Sequence, residues 1–315
     1  VVWRTWQTAW HEALYGPDGF YRQSAGPAGH FATSAQGIPG GGRLLARALV
    51  ALAERSGCSD VVDVGAGRGE LLGEIAALAP GLRLTGVDIV ERPRELPAGT
   101  DWLVAPGGER LPDGLRDLTR ALVVAHEWLD VVPCPIVEYA DGVWREVEVA
   151  DDGTERLGSV VEGPDLQWLQ RNWPAGCDTG RAEVGRSREA AYNDLRARIG
   201  TGLLVVVDYG HLRGRRPVGG TLTGYRDGVQ SAPRPDGSTD ITAHVAMDTL
   251  GSDELVQQRD LLERLGLRPP RPPIELARDD PAAYLTQLAA RGTHAELTAP
   301  GGLGDFWWAI STITR

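Results

Sequence analysis

The hydrophobic pattern along the chain changes period several times, and each change marks an element. The opening segment predicts a short helix around Thr5–Leu14, then a loop from Gly16 to Gly29. Leu44, Leu45, Ala48, Leu49 and Leu52 recur at helical spacing and predict a helix over Arg43–Arg55, closed by Gly57. The β-branched run Asp60–Val64 then reads as a strand, and Gly65-Ala66-Gly67-Arg68-Gly69 as a tight turn into a helix from Glu70 to about Leu78. Leu82–Val87 reads as a second strand ending at Asp88, Ala121–Ala125 as another buried strand, and Leu203–Val207 as a further one ending at Asp208. Apolar strands separated by helical patterns predict βαβ units, hence an α/β fold with a mostly parallel sheet and helices on both faces.

The stretch between the last two strands is longer than a simple crossover needs. Val143–Val149 alternates as a half-exposed strand, Asp151-Asp152-Gly153 is a turn, and Arg181–Arg198 looks like a charged surface helix. An insertion over about 131–200, carrying a hairpin and helices, is expected. Residues 1–42, rich in aromatics and glycine, form an N-terminal segment, and 43–315 the main domain. Trp307 and Trp308 fall in a final strand, as core or sheet-face residues.

Composition narrows the chemistry. The 315 residues carry a formal charge of −11, which argues against a nucleic-acid partner bound through phosphate neutralisation. All 32 basic residues are arginine, so lysine-dependent Schiff-base and phosphate-loop chemistry is excluded. Cys58, Cys134 and Cys177 are odd in number and widely spaced, without metal-ligand spacing. No metal site is expected. A reducing, cytoplasmic setting is, because the start Val1-Val2-Trp3-Arg4 has no signal-peptide core and no apolar run reaches the ~18 residues of a membrane span.

The glycine turn is the first candidate site. Glycines allow a tight turn and close approach of a ligand, and the next helix offers free N–H groups. A dinucleotide fingerprint needs glycine at position 70, where this chain has Glu70, which would repel a pyrophosphate. S-adenosylmethionine carries a sulfonium and an ammonium instead. Asp63 suits those cations, and Asp88, 25 positions on, is placed for both ribose hydroxyls. The expected cofactor-binding set is Asp63, Gly65, Ala66, Gly67, Gly69, Asp88, Ile89, Thr33 and Ala125. The alternatives are NAD for the turn and a cap or turn role for Asp88.

The second candidate is His126-Glu127-Trp128-Leu129-Asp130, at the ligand-side end of a strand. In a helical turn Glu127 and Asp130 would share one face and could grip a guanidinium, although a solvated capping pair fits the same spacing. Asp208 ends another central strand, and His244 lies in a later polar segment, where a structural role is the bland alternative. The catalytic candidates are therefore Glu127, Asp130, His126, Asp208 and His244.

Several segments together resemble one family, the MidA-like class I methyltransferases associated with mitochondrial complex I assembly. They are Ala13-Leu14-Tyr15-Gly16-Pro17-Asp18-Gly19-Phe20-Tyr21, Gly29-His30-Phe31-Ala32-Thr33-Ser34, Asp63 to Gly69, His126 to Pro133, Val207-Asp208-Tyr209-Gly210, Asp240-Ile241-Thr242-Ala243-His244-Val245, and Leu297 to Pro300 with Gly302 to Phe306. Their order and spacing make the set specific. The resemblance implies a class I, Rossmann-like methyltransferase core with N-terminal and mid-chain additions, S-adenosyl-L-methionine as donor, and methylation of a protein arginine. It also makes Glu127 and Asp130 look like substrate-side residues. His30 stands where the family usually has Asp, His126 where it has Asn, and Gly228 where a His is expected, so the acceptor departs further from the pattern than the donor site.

The expectation is methyl transfer by direct displacement to a protein arginine. Two alternatives stay open: a small-molecule O- or N-methyltransferase using His30, His126, His211 or His244 as base, and a catalytically silent S-adenosylmethionine-binding assembly factor. The partner is a protein or small-molecule methyl acceptor, with no nucleic acid and no membrane span. The oligomeric state, a dimer included, is left open.

Overall fold

The computed structural model describes residues 1–23, 37–173 and 180–314. Thr33, His30 and Cys177 lie outside these residues. The fold is mixed α/β, built on several sheets.

A seven-stranded sheet forms the centre. From one edge it runs Glu254–Gln257, Trp307–Thr314, Thr201–Asp208, Ala121–His126, Asp60–Val64, Arg83–Asp88 and Asp101–Val104. The last five are mutually parallel, whereas Trp307–Thr314 runs antiparallel to both of its neighbours. Leu203–Val207 and Ala121–Ala125 are buried at nearly every position because the sheet is covered on both faces. Alternate residues feed two cores. Val61, Val124, Val205 and Val207 pack with helices Gly41–Arg55, Glu70–Leu78 and Gln258–Arg264. Val62, Val123, Leu204 and Val206 pack with Ala191, Tyr192 and Leu195 of helix Arg186–Ala197.

That last helix corrects two expectations. The reading of Arg181–Arg198 as one charged surface helix gives way to a strand, Gly180–Glu183, and a helix that begins at Arg186. The helix also buries one face on the central sheet, where a surface helix was expected. Apart from Arg188, its charges lie away from the buried face, which hid that face in the sequence.

Residues 136–183 and the N-terminal segment build a second sheet. Val143–Val149 lies at its centre, flanked by Ile136–Ala140, Arg4–Thr5 and Glu155–Val160, with Gly180–Glu183 beyond. Helix Trp6–Tyr15 is capped by the Thr5 hydroxyl, which accepts from the Thr8 N–H at 3.3 Å. It buries Trp6, Trp10 and Leu14 among Val147, Val149 and Ile241. Gln258–Arg264 and Pro281–Leu297 are helices without a counterpart in the sequence reading. Among the described residues, no helix is long and apolar enough to cross a membrane.

Candidate active site

The parallel strands all end on one edge of the sheet, and a cavity of about 530 Å³ opens there. At one end it is lined by Asp63, Gly65, Ala66, Gly67, Asp88 and Ile89, at the other by His126, Glu127, Asp130 and Asp240. Tyr15, Tyr21, Arg22 and Gln23 of the N-terminal segment close a side.

The turn at the first end needs its glycines. Gly65, Gly67 and Gly69 have φ of +77°, +58° and +81°, where a Cβ is strained. A Cβ on Gly69 would also lie 2.1 Å from Leu96 Cδ2. Asp88 braces the turn: Oδ2 accepts from the Gly67 N–H at 2.8 Å and Oδ1 from the Val90 N–H at 3.3 Å. It thus takes the turn role weighed for it, and it also lines the cavity. Asp63 is 3% exposed. Burial, together with the nearby charges of Asp88 and Glu70, pushes its carboxyl up to about 7. A buried acid in that state is a natural receptor for a cation.

The other end is an acidic wall. Asp130 is 4% exposed. Its Oδ2 accepts from the hydroxyls of Tyr209 and, at 2.7 Å, Thr242, while its buried Oδ1 has no hydrogen-bond partner among the described residues. Burial and the Glu127 charge raise its pKa, and the bonds from Tyr209 and Thr242 oppose them. His126 Nδ1 lies 3.6 Å from Glu127 Oε1. Burial holds the His126 imidazole down to about 4, so it is neutral at physiological pH.

The conformation of this wall corrects the helical-turn expectation. Glu127 sits at φ +51°, in the left-handed region, and residues 127–132 form an irregular turn. Asp208 explains why: its Oδ2 takes the N–H groups of Leu129 and Asp130, both at 3.1 Å, and its Oδ1 that of Tyr209 at 3.0 Å. The two acids meet at the cavity through this brace and not through helical i, i+3 spacing.

Residues 44–263 match a family described as "Putative S-adenosyl-L-methionine-dependent methyltransferase". The chain belongs to this family. The donor of this methyltransferase is accordingly S-adenosyl-L-methionine. The fold agrees with that of a Burkholderia thailandensis protein described as a "likely methyl transferase" and crystallised with S-adenosyl-homocysteine: TM-score 0.76, 23% identity, covering 98% of this chain and 88% of that one. A second, native crystal structure from Burkholderia thailandensis, of an uncharacterized protein, gives TM-score 0.74 and 24% identity over 98% and 87% of the two chains. A comparison with curated proteins finds no match.

The methyltransferase's cavity gathers most of the candidate residues, but four described ones stand elsewhere. Ala125 and Gly69 do not line it; Gly69 instead starts the helix Glu70–Leu78 in a left-handed conformation. Asp208 is 0% exposed, spent on backbone amides, and burial raises its pKa well above the ordinary carboxylate value. Those contacts brace the 127–132 turn. His244 also lies off the cavity, its ring 5.1 Å from that of Tyr209, and burial lowers its pKa. Sequence reasoning passed over Tyr15 and Tyr21, and noted Asp240 only as part of a polar segment; the fold brings all three to the wall from distant segments. Tyr21 donates to Asp240 Oδ1 at 2.7 Å, and Tyr15 to the Val131 carbonyl at 3.0 Å. The family-like segments Ala13–Tyr21 and Asp240–Val245 held the signal. Among the described residues no cluster of His, Cys, Asp or Glu could hold a metal ion.

Proposed function

We propose that this methyltransferase moves the methyl group of S-adenosylmethionine, by direct displacement, to a cationic nitrogen acceptor, and that the acceptor is a protein arginine. The observation that carries the reading is Asp130 Oδ1, a buried carboxyl oxygen without a donor among the described residues, on the wall of the same cavity as the glycine turn. Such an atom is costly to leave unpaired, and a guanidinium N–H would satisfy it. Glu127, beside it on the wall, adds a second acceptor for the planar fork.

Asp63, Gly65, Ala66, Gly67, Asp88 and Ile89 would hold the donor. Bound there, the sulfonium supplies an electrophilic methyl group and departs as neutral sulfur. The chain's own work is then alignment, exclusion of water and stabilisation of charge. An arginine enters protonated, and Glu127 and Asp130 fix the nitrogen and take up the proton released as the bond forms. Residues 1–42 act as the closing segment, an assignment supported by Tyr15 and Tyr21 on the cavity wall. The seven-stranded sheet then serves as the class I, Rossmann-like core of the domain 43–315.

A small hydroxyl acceptor would need a base instead. His126 lines the cavity, but an imidazole held down to about 4 binds a proton poorly at neutral pH.

Labelled methyl transfer into extract of the source organism, with Glu127→Gln as control, tests the proposal. Label in protein that hydrolyses to methylarginine and vanishes with Glu127→Gln supports it. Label confined to small molecules moves the acceptor to metabolites. Absence of label with intact donor binding favours the silent assembly factor.

A further inference from the structure

Arg188, on helix Arg186–Ala197, is 1% exposed. Its guanidinium is spent on carbonyl oxygens. Nε donates to Val132 at 3.1 Å, Nη2 to Asp130 at 2.9 Å and Nη1 to His244 at 2.8 Å. Its central carbon stands 5.6 Å from the centroid of the Trp10 ring.

Withdrawing a cation from water is expensive, and neutral carbonyls offset only part of the cost. Packing does not demand the charge either, since Ala191, Tyr192 and Leu195 already fill the buried face of this helix. The three carbonyls it holds belong to the segments that carry the acidic wall. Asp130 and Val132 lie in the 127–132 turn, and His244 follows Thr242, which bonds Asp130. Behind the turn, the buried Asp208 accepts from the Leu129 and Asp130 N–H groups. One buried cation thus stands among several buried acids.

We propose that Arg188 is the positioning residue of the acceptor wall, its three carbonyl contacts fixing the 127–132 turn and its buried charge favouring the ionised form of Asp130. The inference rests on the reading of Glu127 and Asp130 as that wall. Other groups bear on Asp130. Glu127 and His126 act from its own strand end, Asp208 and Tyr209 from the neighbouring one, Asp240 and Thr242 from the strand Asp240–Thr242, and Tyr15, Tyr21 and Tyr225 from the covering segments. Arg188 is the cation among them, and through the turn it acts without touching the acceptor.

The test reads Asp130 directly. Its side-chain 13C carboxyl signal, assigned by its loss in Asp130→Asn, is titrated in the wild type, Arg188→Gln and Arg188→Lys, each saturated with S-adenosylhomocysteine. Arg188→Gln keeps donors for the carbonyls and removes the charge, so its midpoint should rise by one pH unit or more. Arg188→Lys should stay within half a unit of the wild type. Equal midpoints in Arg188→Gln and the wild type overturn the proposal. If Arg188→Gln does not fold, a shift of a unit or more in Arg188→Lys overturns it, and retention of the wild-type midpoint supports it. Binding of agmatine to the wild-type complex is measured in parallel. Its failure there removes the acceptor reading, whereas the carboxyl titration still decides what Arg188 does to Asp130.

Discussion

Gly67 donates its backbone N–H to Asp88 Oδ2 at 2.8 Å, which ties the turn after one strand to the end of the next. Asp88 therefore shapes the donor pocket as well as lining it. Asp88→Ala should weaken S-adenosylhomocysteine by at least about 30-fold in calorimetry, roughly 2 kcal/mol for lost hydrogen bonds to a charged acceptor. Asp88→Asn, which keeps one acceptor oxygen, should lose less.

Asp63 sets a pH dependence with two signs. Its carboxyl keeps a proton up to about 7 in the fold, whereas an unfolded aspartate releases it near 4. The ligand-free protein therefore loses stability as pH rises from about 4 to 7. A ligand ammonium prefers the carboxylate, so S-adenosylhomocysteine should bind more tightly as pH rises through 7. Asp63→Asn should flatten both curves, read by thermal melts and calorimetry between pH 5 and 8.

Gly69 combines a positive φ with a Cβ path blocked by Leu96. Gly69→Ala should cost roughly 1–3 kcal/mol in urea unfolding, from strain and overpacking. Adding Leu96→Ala should relieve the clash but leave the backbone strain, so the double variant should recover the stability only in part.

Asp208 and Glu127 should separate a brace from a catalytic group. Asp208→Ala leaves the N–H groups of Leu129, Asp130 and Tyr209 without their acceptor, at a cost of about 2–4 kcal/mol in urea unfolding. Glu127→Gln should leave the melt and the donor affinity unchanged while turnover falls about 100-fold or more. A stable, inactive Asp208→Ala would refute the brace.

The strands of the parallel half were legible because burial on both faces leaves continuous apolar runs such as Leu203–Val207. Helix Glu70–Leu78 was equally clear, since the glycine turn announces its start. Pro281–Leu297 was not, because nearly all of it faces solvent and only His294 and Leu297 are buried. At the site, Glu127 and Asp130 were found for the wrong local reason. The capture of two amides by Asp208, 78 and 79 positions away, decides the turn, and no local pattern reports it. Arg188 and Asp240 were hidden likewise, each given its surroundings by segments far off in the chain.

The strand Trp307–Thr314 lies between Thr201–Asp208 and Glu254–Gln257, joined to the first from Thr201↔Thr314 to Asp208↔Trp307. Until it docks, one whole side of an apolar strand is an open hydrogen-bonding edge, and closure spans about a hundred residues of chain. Order of assembly thus becomes a property of the molecule: the half that carries the glycine turn can pair locally, whereas the other half waits on a distant segment. Refolding yield should consequently fall as protein concentration rises, because another copy can reach that edge first.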